Sequence, residues 1–434
     1  MVEIWIKQPS DRLNYVLKWL FEKVYRISYK VRVFGENRGG DGSFILNYTS
    51  EIPSPECFSV PNCGLLFGEK VMPSLFTDAE IPYLYYQGES ENALSFDIFS
   101  AIFFLLTEVE KYENPQLDTH NRYQEQAYLS YQLACLPYPI LQKYAQLLQA
   151  HFPPAMQAEI ERKKSFDYEI TFDVDNPWKY KFKPFHVQVG GLLKDIIKGN
   201  GGKIKERWAA FVHQKDVYHT FEEVFALCPK EKTRFFFLLY RGSVWDTRYT
   251  YEHFAYQQLI KTIHQQGFAV GIHPSYTSSE NEKQIAFEIQ QLEKILGTKI
   301  THSRQHFLKY HHPQTFQALY KQGIRHEYSY CLQKGIGFPN GTAIPFLYYD
   351  LSTETETNLL LHPTLVMDRS LQHYLAYSPE KATEEVIHLI KTTQEYGGIF
   401  TILFHNEVLS ESEEWKGWWR FAREIISTII SSTT

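Results

Sequence analysis

The stretch YEITFDVDNPW (168–178) joins a β-forming segment to two carboxylates at its end. Residues 168–174 are rich in β-branched and aromatic side chains, which predicts a strand. Asp173 and Asp175 are separated by one residue, so their side chains point the same way if the extended chain continues to Asp175. Asp-x-Asp before Asn-Pro is also typical of a simple Asx-turn, so this pair alone does not define a site.

From this strand onward the chain alternates strands with helices, which predicts an α/β fold. Helix signals include a capping box of Ser279 with Glu282, Pro379 in a first turn, and Gly297 at a helix end. This rhythm favours a (β/α) barrel or a doubly wound sheet, in which functional groups gather at the carboxyl ends of strands. The further strands are predicted at 233–240, 268–273, 299–307, 325–330, 359–367 and 399–405.

The first part of the chain has a different character. A length of 434 residues predicts two domains. Residues 1–160 mix short strands with helices, which predicts a smaller α+β domain of unknown role. The polar stretch 161–165 marks the predicted boundary to a second domain, 161–434.

Composition excludes several classes of protein. The net charge is −6 and no long Lys/Arg block occurs, so no nucleic-acid partner is expected. The five cysteines form no Cys-x-x-Cys pair, which argues against a disulfide framework or a thiolate zinc site. The N-terminus lacks a signal-peptide apolar region, and no apolar run is long enough to span a membrane, so a cytoplasmic location is expected. Residues 197–208 are predicted to form a solvated basic loop, and the sequence leaves the oligomeric state open.

Polar residues follow five of the predicted strands. One carboxylate and two histidines are the usual ligands of a catalytic divalent metal ion that keeps open positions. A second carboxylate can act as a base, and a separate histidine can protonate a leaving group. Together these groups predict metal-assisted hydrolysis of an amide or ester. The strand-end residues are Asp173 with Asp175, His273, Arg304 with His306, Glu327, and His405.

At these positions the sequence resembles the polysaccharide deacetylases of carbohydrate esterase family 4. It is most similar to a bacterial subgroup in which a domain of unknown function precedes the deacetylase domain. The N-terminal part of the resemblance lies in LSFDIFSAIFFLLTEVEKYENPQLDTHNRY (94–123). The resemblance implies a distorted (β/α) barrel and a role in bacterial carbohydrate metabolism.

The resemblance also implies roles for individual residues. Asp173 matches the catalytic base, Arg304 the arginine that orients this base, and His405 the general acid. Asp175 and His273 match metal ligands. The oxyanion-binding or substrate-lining positions are Phe307, through its backbone N–H, Glu327 and Trp178.

One metal ligand departs from the family pattern. The second histidine normally follows the first by four residues, but this position is Thr277. We expect His306 to replace it, because His306 and Arg304 lie two residues apart and can face the same way. His302 and His362 are alternatives, and His306 can also be a simple packing residue. Histidine and carboxylate ligands favour zinc, with iron, cobalt or nickel as alternatives.

The predicted function is therefore a metal-dependent hydrolase that removes N- or O-linked acetyl groups from a carbohydrate. Two alternatives remain open at this point: an amidohydrolase acting on a small non-sugar amide, and a non-catalytic binding protein. The Thr277 departure favours the last, whereas the joint retention of the remaining motif residues argues against it.

Overall fold

A computed structural model describes residues 1–34, 43–49, 57–77, 81–410 and 412–432. The stretch GENRGGDGS (35–43), whose composition predicts a turn-rich loop, lies outside the described residues except for its last position. The helices are α1 Asp11–Leu17, α2 Ile98–Thr107, α3 Val109–Glu113, α4 Leu129–Ala134, α5 Ile140–Gln149, α6 Pro154–Lys163, α7 Phe185–Ile197, α8 Gly201–Val212, α9 Phe221–Leu227, α10 Phe254–Gln265, α11 Glu282–Leu296, α12 Gln314–Lys321, α13 Pro379–Tyr396 and α14 Trp418–Ser431.

The strands form one large sheet, one smaller sheet and a two-stranded ribbon. They are β1 Val2–Ile6, β2 Tyr29–Val33, β3 Phe44–Tyr48, β4 Phe58–Ser59, β5 Leu75–Phe76, β6 Tyr83–Leu84, β7 Phe166–Val174, β8 Thr233–Phe237, β9 Ala269–Ile272, β10 His302–Ser303, β11 His326–Glu327, β12 Phe346–Asp350, β13 Thr355–Leu361, β14 Val366–Met367 and β15 Gly398–His405.

The large sheet has nine strands in the order β12-β13-β11-β10-β9-β8-β7-β15-β14. All neighbours pair in parallel except β12, which is antiparallel to β13. β7 and β15 are neighbours toward the β14 edge of the sheet and are buried along most of their length, as expected for strands covered on both faces. The α/β prediction is confirmed, and the pairings among the described residues leave β12 and β14 as two ends rather than closing a barrel.

The N-terminal part contains the smaller sheet, in the order β2-β1-β3-β4. Its strands are parallel throughout, which differs from the predicted α+β arrangement because such pairs need crossover connections. α1 and the π-helical turn Lys18–Tyr25 supply the first crossover. Glu108 joins this part to the large-sheet part, since its carboxylate bonds to His312 Nε2 at 2.7 Å.

Several predicted element boundaries are wrong for identifiable reasons. α11 is capped by the Asn281 side chain rather than by Ser279, which lies in a short 3₁₀ turn. The stretch 359–367 divides into β13 and β14 around Pro363, which has no N–H for a strand ladder. The stretch 299–307 pairs only over β10, because the chain turns at His306–Leu308.

The prediction of a basic loop at 197–208 is also wrong for most of that stretch. Residues from Gly201 onward form α8, whose Lys, Glu, Arg and Ala residues have high helix propensity. α8 and α7 form a helical hairpin between β7 and the short helix α9. None of the described helices combines the length and apolar character needed to cross a membrane.

Candidate metal centre and active site

Asp173 lies near the carboxyl end of strand β7 and is almost fully buried. Its Oδ1 accepts a hydrogen bond of 2.9 Å from Arg304 Nη1. Its Oδ2 lies 3.6 Å from His273 Nε2. Arg304 thus fixes the position of the Asp173 carboxylate at the cavity.

Arg304 is fully buried and is held on every side. Its guanidinium donates to the Thr171 and Thr364 hydroxyls at 2.9 and 3.1 Å and to the Tyr328 carbonyl at 3.0 Å. It also lies over the Phe236 ring, 4.8 Å from the centroid. These contacts satisfy the buried cation and fix the direction from which it approaches Asp173.

His273 follows β9 and is buried next to the two aspartates. Its Nδ1 lies 2.6 Å from the Arg304 carbonyl oxygen, which requires a hydrogen on Nδ1. The Nε2 lone pair then faces Asp175, whose Oδ1 is 3.4 Å away. Burial lowers the pKa of His273, despite the nearby aspartates, and so favours the neutral imidazole that binds metal ions.

His306 approaches the same point from the turn after β10. Its Nε2 lies 3.7 Å from Asp175 Oδ2, and its Nδ1 lies 3.2 Å from Asp246 Oδ1. Asp246 is itself fixed by the Tyr276 backbone N–H at 2.7 Å and the Ser243 hydroxyl at 2.8 Å. A carboxylate behind a histidine sets the ring orientation and the tautomer, as at many metal sites.

Asp175, His273 and His306 offer one ligand atom each within 4.8 Å of one another. Asp175 Oδ1 is buried and has no hydrogen-bond partner. Burial acts to raise the pKa of Asp175, but the His306 and His273 imidazoles hold it well below its usual range. A buried carboxylate oxygen without a donor, faced by two imidazoles, fits a divalent metal ion.

His405 is the last residue of β15, directly beside Asp173 in the sheet register. Its Nδ1 lies 2.7 Å from Asp368 Oδ1, and its backbone N–H donates to Asp368 Oδ2 at 2.6 Å. Burial opposes the charged imidazole, but Asp368 raises the pKa of His405 to about 9. The imidazole is therefore protonated on both ring nitrogens. Its Nε2, which is not bonded to Asp368, lies 3.8 Å from Asp175 Oδ2.

These groups line a cavity of about 330 Å³. Aromatic walls come from Trp245, Phe307 and Tyr374, and the N-terminal part contributes Arg122. Asp118 holds the Arg122 guanidinium with two hydrogen bonds of 2.7 and 2.9 Å, and the guanidinium lies over the Phe307 ring at 5.6 Å. The cavity thus has a polar floor and an aromatic, partly cationic rim.

Phe307 has left-handed backbone angles, with φ 61°, and Leu308 follows with φ 53°. Two consecutive non-glycine residues in this region are strained, and such strain is common at functional sites. The turn places His306 beside the cavity floor and the Phe307 ring on its wall.

Thr277 and two of the predicted site residues, Glu327 and Trp178, lie away from the cavity. Thr277 is exposed and hydrogen-bonded to Gln284 Oε1 at 3.3 Å, so it takes no part in the three-residue cluster. Glu327 is buried outside the cavity lining, where Ser303 and Ser329 donate to its carboxyl. Trp178 is also buried outside the lining and packs on Phe182 and Tyr249.

The alternative ligands His302 and His362 form a separate cluster with His326. The His302 and His326 rings stack with centroids 4.5 Å apart, and His326 Nδ1 lies 3.0 Å from His362 Nε2. His362 Nδ1 lies 3.2 Å from a Glu169 oxygen. None of these four residues lines the cavity.

Sequence reasoning missed three residues of the site: Asp246, Asp368 and Arg122. Asp368 follows β14 directly, so the same strand-end rule could have found it. Asp246 lies nine residues beyond the end of β8, within a loop that has no periodic signal. Arg122 belongs to the stretch 94–123 quoted above for the family resemblance, but nothing in the sequence places that stretch at the cavity.

Residues 2–154 match the profile of a family described as one of unknown function, DUF7033. A search of curated proteins gave no match.

Among solved structures, a protein from Mycobacterium smegmatis assigned as a polysaccharide deacetylase is 16% identical over 61% of this chain and 84% of its own, with a TM-score of 0.38. A peptidoglycan deacetylase from Bdellovibrio bacteriovorus is 10% identical over 76% of this chain and 85% of its own, with a TM-score of 0.28. A 4-alpha-glucanotransferase from Thermococcus litoralis is 14% identical over 62% of this chain and 38% of its own, with a TM-score of 0.37. Scores at this level carry no argument about function.

Proposed function

We propose that this protein is a metal-dependent hydrolase that removes acetyl groups from a carbohydrate. The observation that carries the proposal is the convergence of three units at one cavity. These units are the Asp175–His273–His306 cluster, the Asp173–Arg304 pair, and the His405–Asp368 pair. Each has the chemistry of one part of a hydrolytic reaction.

Asp175, His273 and His306 would hold the metal ion, with zinc favoured by the ligand types. When bound there, a divalent metal ion acts as a Lewis acid toward the acetyl carbonyl and makes a water molecule more acidic. Asp246 and the Arg304 carbonyl oxygen keep the two imidazoles in the tautomer that directs Nε2 at the metal position.

The chain's own groups move the protons. Asp173 accepts the proton of the attacking water as the new C–O bond forms at the acetyl carbon. Arg304 holds Asp173 in place throughout. His405 then gives its Nε2 proton to the departing amine or alcohol as the C–N or C–O bond breaks, and Asp368 stabilises the charged imidazole before that transfer. The products are acetate and the free amine or alcohol.

A carbohydrate is proposed as the substrate because of the motif resemblance described above. The aromatic and cationic rim is compatible with it, since sugar rings stack on aromatic side chains. We further propose that the chain divides into residues 1–160 and 161–434, and that the second part is a distorted barrel left open between β12 and β14. Arg122 of the first part is proposed to line the substrate cavity.

The test measures acetate release from acetylated chito-oligosaccharides and ring opening of small cyclic amides, using metal-loaded protein and the Asp173→Asn variant. Acetate release by the native protein that is lost in the variant supports the proposal. Turnover of cyclic amides alone would replace the carbohydrate with a small amide as the substrate. Turnover of neither class by protein with stoichiometric metal would favour a non-catalytic binding protein.

A further inference from the structure

The helical hairpin of α7 and α8 has an unusual distribution of polarity. We define the basic hairpin as residues 179–215, which emerge after the carboxyl end of β7. Within its two helices only Asp195 and Ala210 are buried. The crossover from β7 to β8 is completed by α9, which buries Phe221 and Val224 in the core. The basic hairpin is therefore an addition to the crossover rather than part of the core.

Polar contacts tie the basic hairpin together on its inner side. Arg207 of α8 donates to Asp195 of α7 at 2.8 Å and lies over the Tyr180 ring at 4.6 Å. Glu206 accepts from the Tyr180 hydroxyl at 2.6 Å and pairs with Lys179 at 3.0 Å. Because these contacts occupy the inside, they leave the apolar side chains on the outside.

Large apolar side chains cover the outer side of both helices. Phe185 is 82% exposed, Ile197 84% and Trp208 65%. The spacing of all the exposed apolar residues of α7 and α8 puts them on one stripe of each helix, as in helices that lie in a membrane interface. An exposed apolar surface of this extent marks an interaction site in a folded protein. The other exposed large apolar residues of the basic hairpin are Phe182, Val189, Leu192, Leu193, Ile196, Phe211 and Val212.

The charge of the basic hairpin is opposite to that of the whole chain. It contains eight lysines and one arginine against Asp195 and Glu206, a net charge of +7, whereas the chain carries −6. Five of its lysines, with Arg207, line a cavity of about 380 Å³ between the two helices and the segment before them. Those lysines are Lys179, Lys183, Lys194, Lys198 and Lys203.

We infer that the basic hairpin docks the protein on the surface of an anionic phospholipid bilayer. The apolar stripe enters the headgroup and acyl boundary, and the lysines pair with lipid phosphates. Apolar exposure alone would also fit a protein partner. Its combination with a segregated positive charge and a lysine-lined cavity favours the anionic lipid surface. The inference is independent of the proposed hydrolytic activity.

The test is sedimentation of the purified full-length protein with phospholipid vesicles. One set contains phosphatidylcholine alone, and the other contains equal parts of phosphatidylcholine and phosphatidylglycerol. We expect binding to the second set only, weakened by added salt. The variants Lys194→Glu/Lys198→Glu and Phe185→Ser/Ile197→Ser should each weaken it by about tenfold or more. All four residues are exposed, so the variants should fold.

The matched control is Lys70→Glu/Met72→Ser, which changes an exposed lysine and an exposed apolar residue of the N-terminal part. It should bind as the native protein does. A second readout is Trp208 fluorescence, which should shift to shorter wavelength on anionic vesicles and lose this change in Trp208→Phe. Absence of binding to anionic vesicles, or equal binding by the hairpin variants, would overturn the inference. If the native protein instead forms a dimer that Phe185→Ser/Ile197→Ser abolishes, and does not bind vesicles, the inference is overturned. The basic hairpin would then contact a second copy of the chain.

Discussion

Two histidine clusters lie in the same large sheet and differ in how their imidazoles are used. The mouth cluster consists of His273, His306 and His405 around Asp175. The inner cluster consists of His302, His326 and His362 beside Glu169. Both contain three histidines and a carboxylate, so residue type alone does not distinguish them.

Hydrogen bonding separates the two clusters. In the mouth cluster, each Nδ1 is engaged by a carbonyl or carboxylate oxygen, and each Nε2 is directed toward Asp175. In the inner cluster, the rings stack on and bond to one another. Burial there lowers the pKa of His302 to about 3 and that of His326 to about 4, so these rings remain neutral packing groups. The Nε2 atoms of His273 and His306 that converge on Asp175, rather than the mere proximity of histidines, define the candidate metal site.

The largest contrast is expected between the carboxylates of β7. Asp173→Asn removes the proposed base and should lower kcat by about 10²–10⁴-fold while metal content and folding are retained. Glu169→Gln in the inner cluster should leave kcat unchanged and lower the free energy of unfolding by about 1–3 kcal/mol, because His362 and Arg234 lose a charged partner. Steady-state kinetics and chemical denaturation measure both. A similar loss of kcat in Asp173→Asn and Glu169→Gln would contradict the distinction between the mouth cluster and the inner cluster.

The next contrast concerns the histidine that carries the leaving-group proton. His405→Ala should lower kcat by about 10²-fold with little change in metal content, because His405 donates a proton in the proposal. Asp368→Asn should give a smaller loss, since the ring remains but its orienting charge is removed. His362→Ala is the matched control, and a kcat loss there equal to that of His405→Ala would contradict the assignment.

A smaller effect, on metal affinity, is expected from changing Asp246, whose carboxylate contacts His306 Nδ1. Asp246→Asn should weaken metal binding by about 10–100-fold, because the imidazole loses the partner that fixes its tautomer. Ser243→Ala removes one of the hydrogen bonds to Asp246 and should have a weaker effect in the same direction. Calorimetric titration of metal into the stripped proteins measures both, and an unchanged affinity in Asp246→Asn would show that His306 is oriented otherwise.

The smallest effect is expected at the rim. Arg122→Ala should raise KM several-fold with kcat and metal content nearly unchanged, because Arg122 lines the cavity but contacts none of the reacting groups. Asp118→Asn, which loosens Arg122, should shift KM in the same direction. A fall in kcat without a change in KM would remove Arg122 from the substrate-lining set.

The predicted strands include a segment for every strand of the large sheet except β12, because buried parallel strands form continuous apolar runs. The roles of the strand-end residues stay predictions. The sequence favoured His306 over His302, but the local pattern could not show why their surroundings differ, because they lie four residues apart in a segment predicted as one strand. The turn at Phe307, with its left-handed backbone, separates their environments, and no residue in the segment signals that turn. The short pairing of β10, the antiparallel β12 and the loop residue Asp246 likewise depend on long-range contacts rather than on local pattern.

The most direct test of the central claim is the metal content of three purified proteins, measured by elemental analysis: native, His306→Ala and His302→Ala. The account predicts about one divalent metal ion per chain in the native protein and in His302→Ala, and far less than one in His306→Ala. A native protein without stoichiometric metal, or a His302→Ala variant that loses the metal while His306→Ala keeps it, would contradict the account.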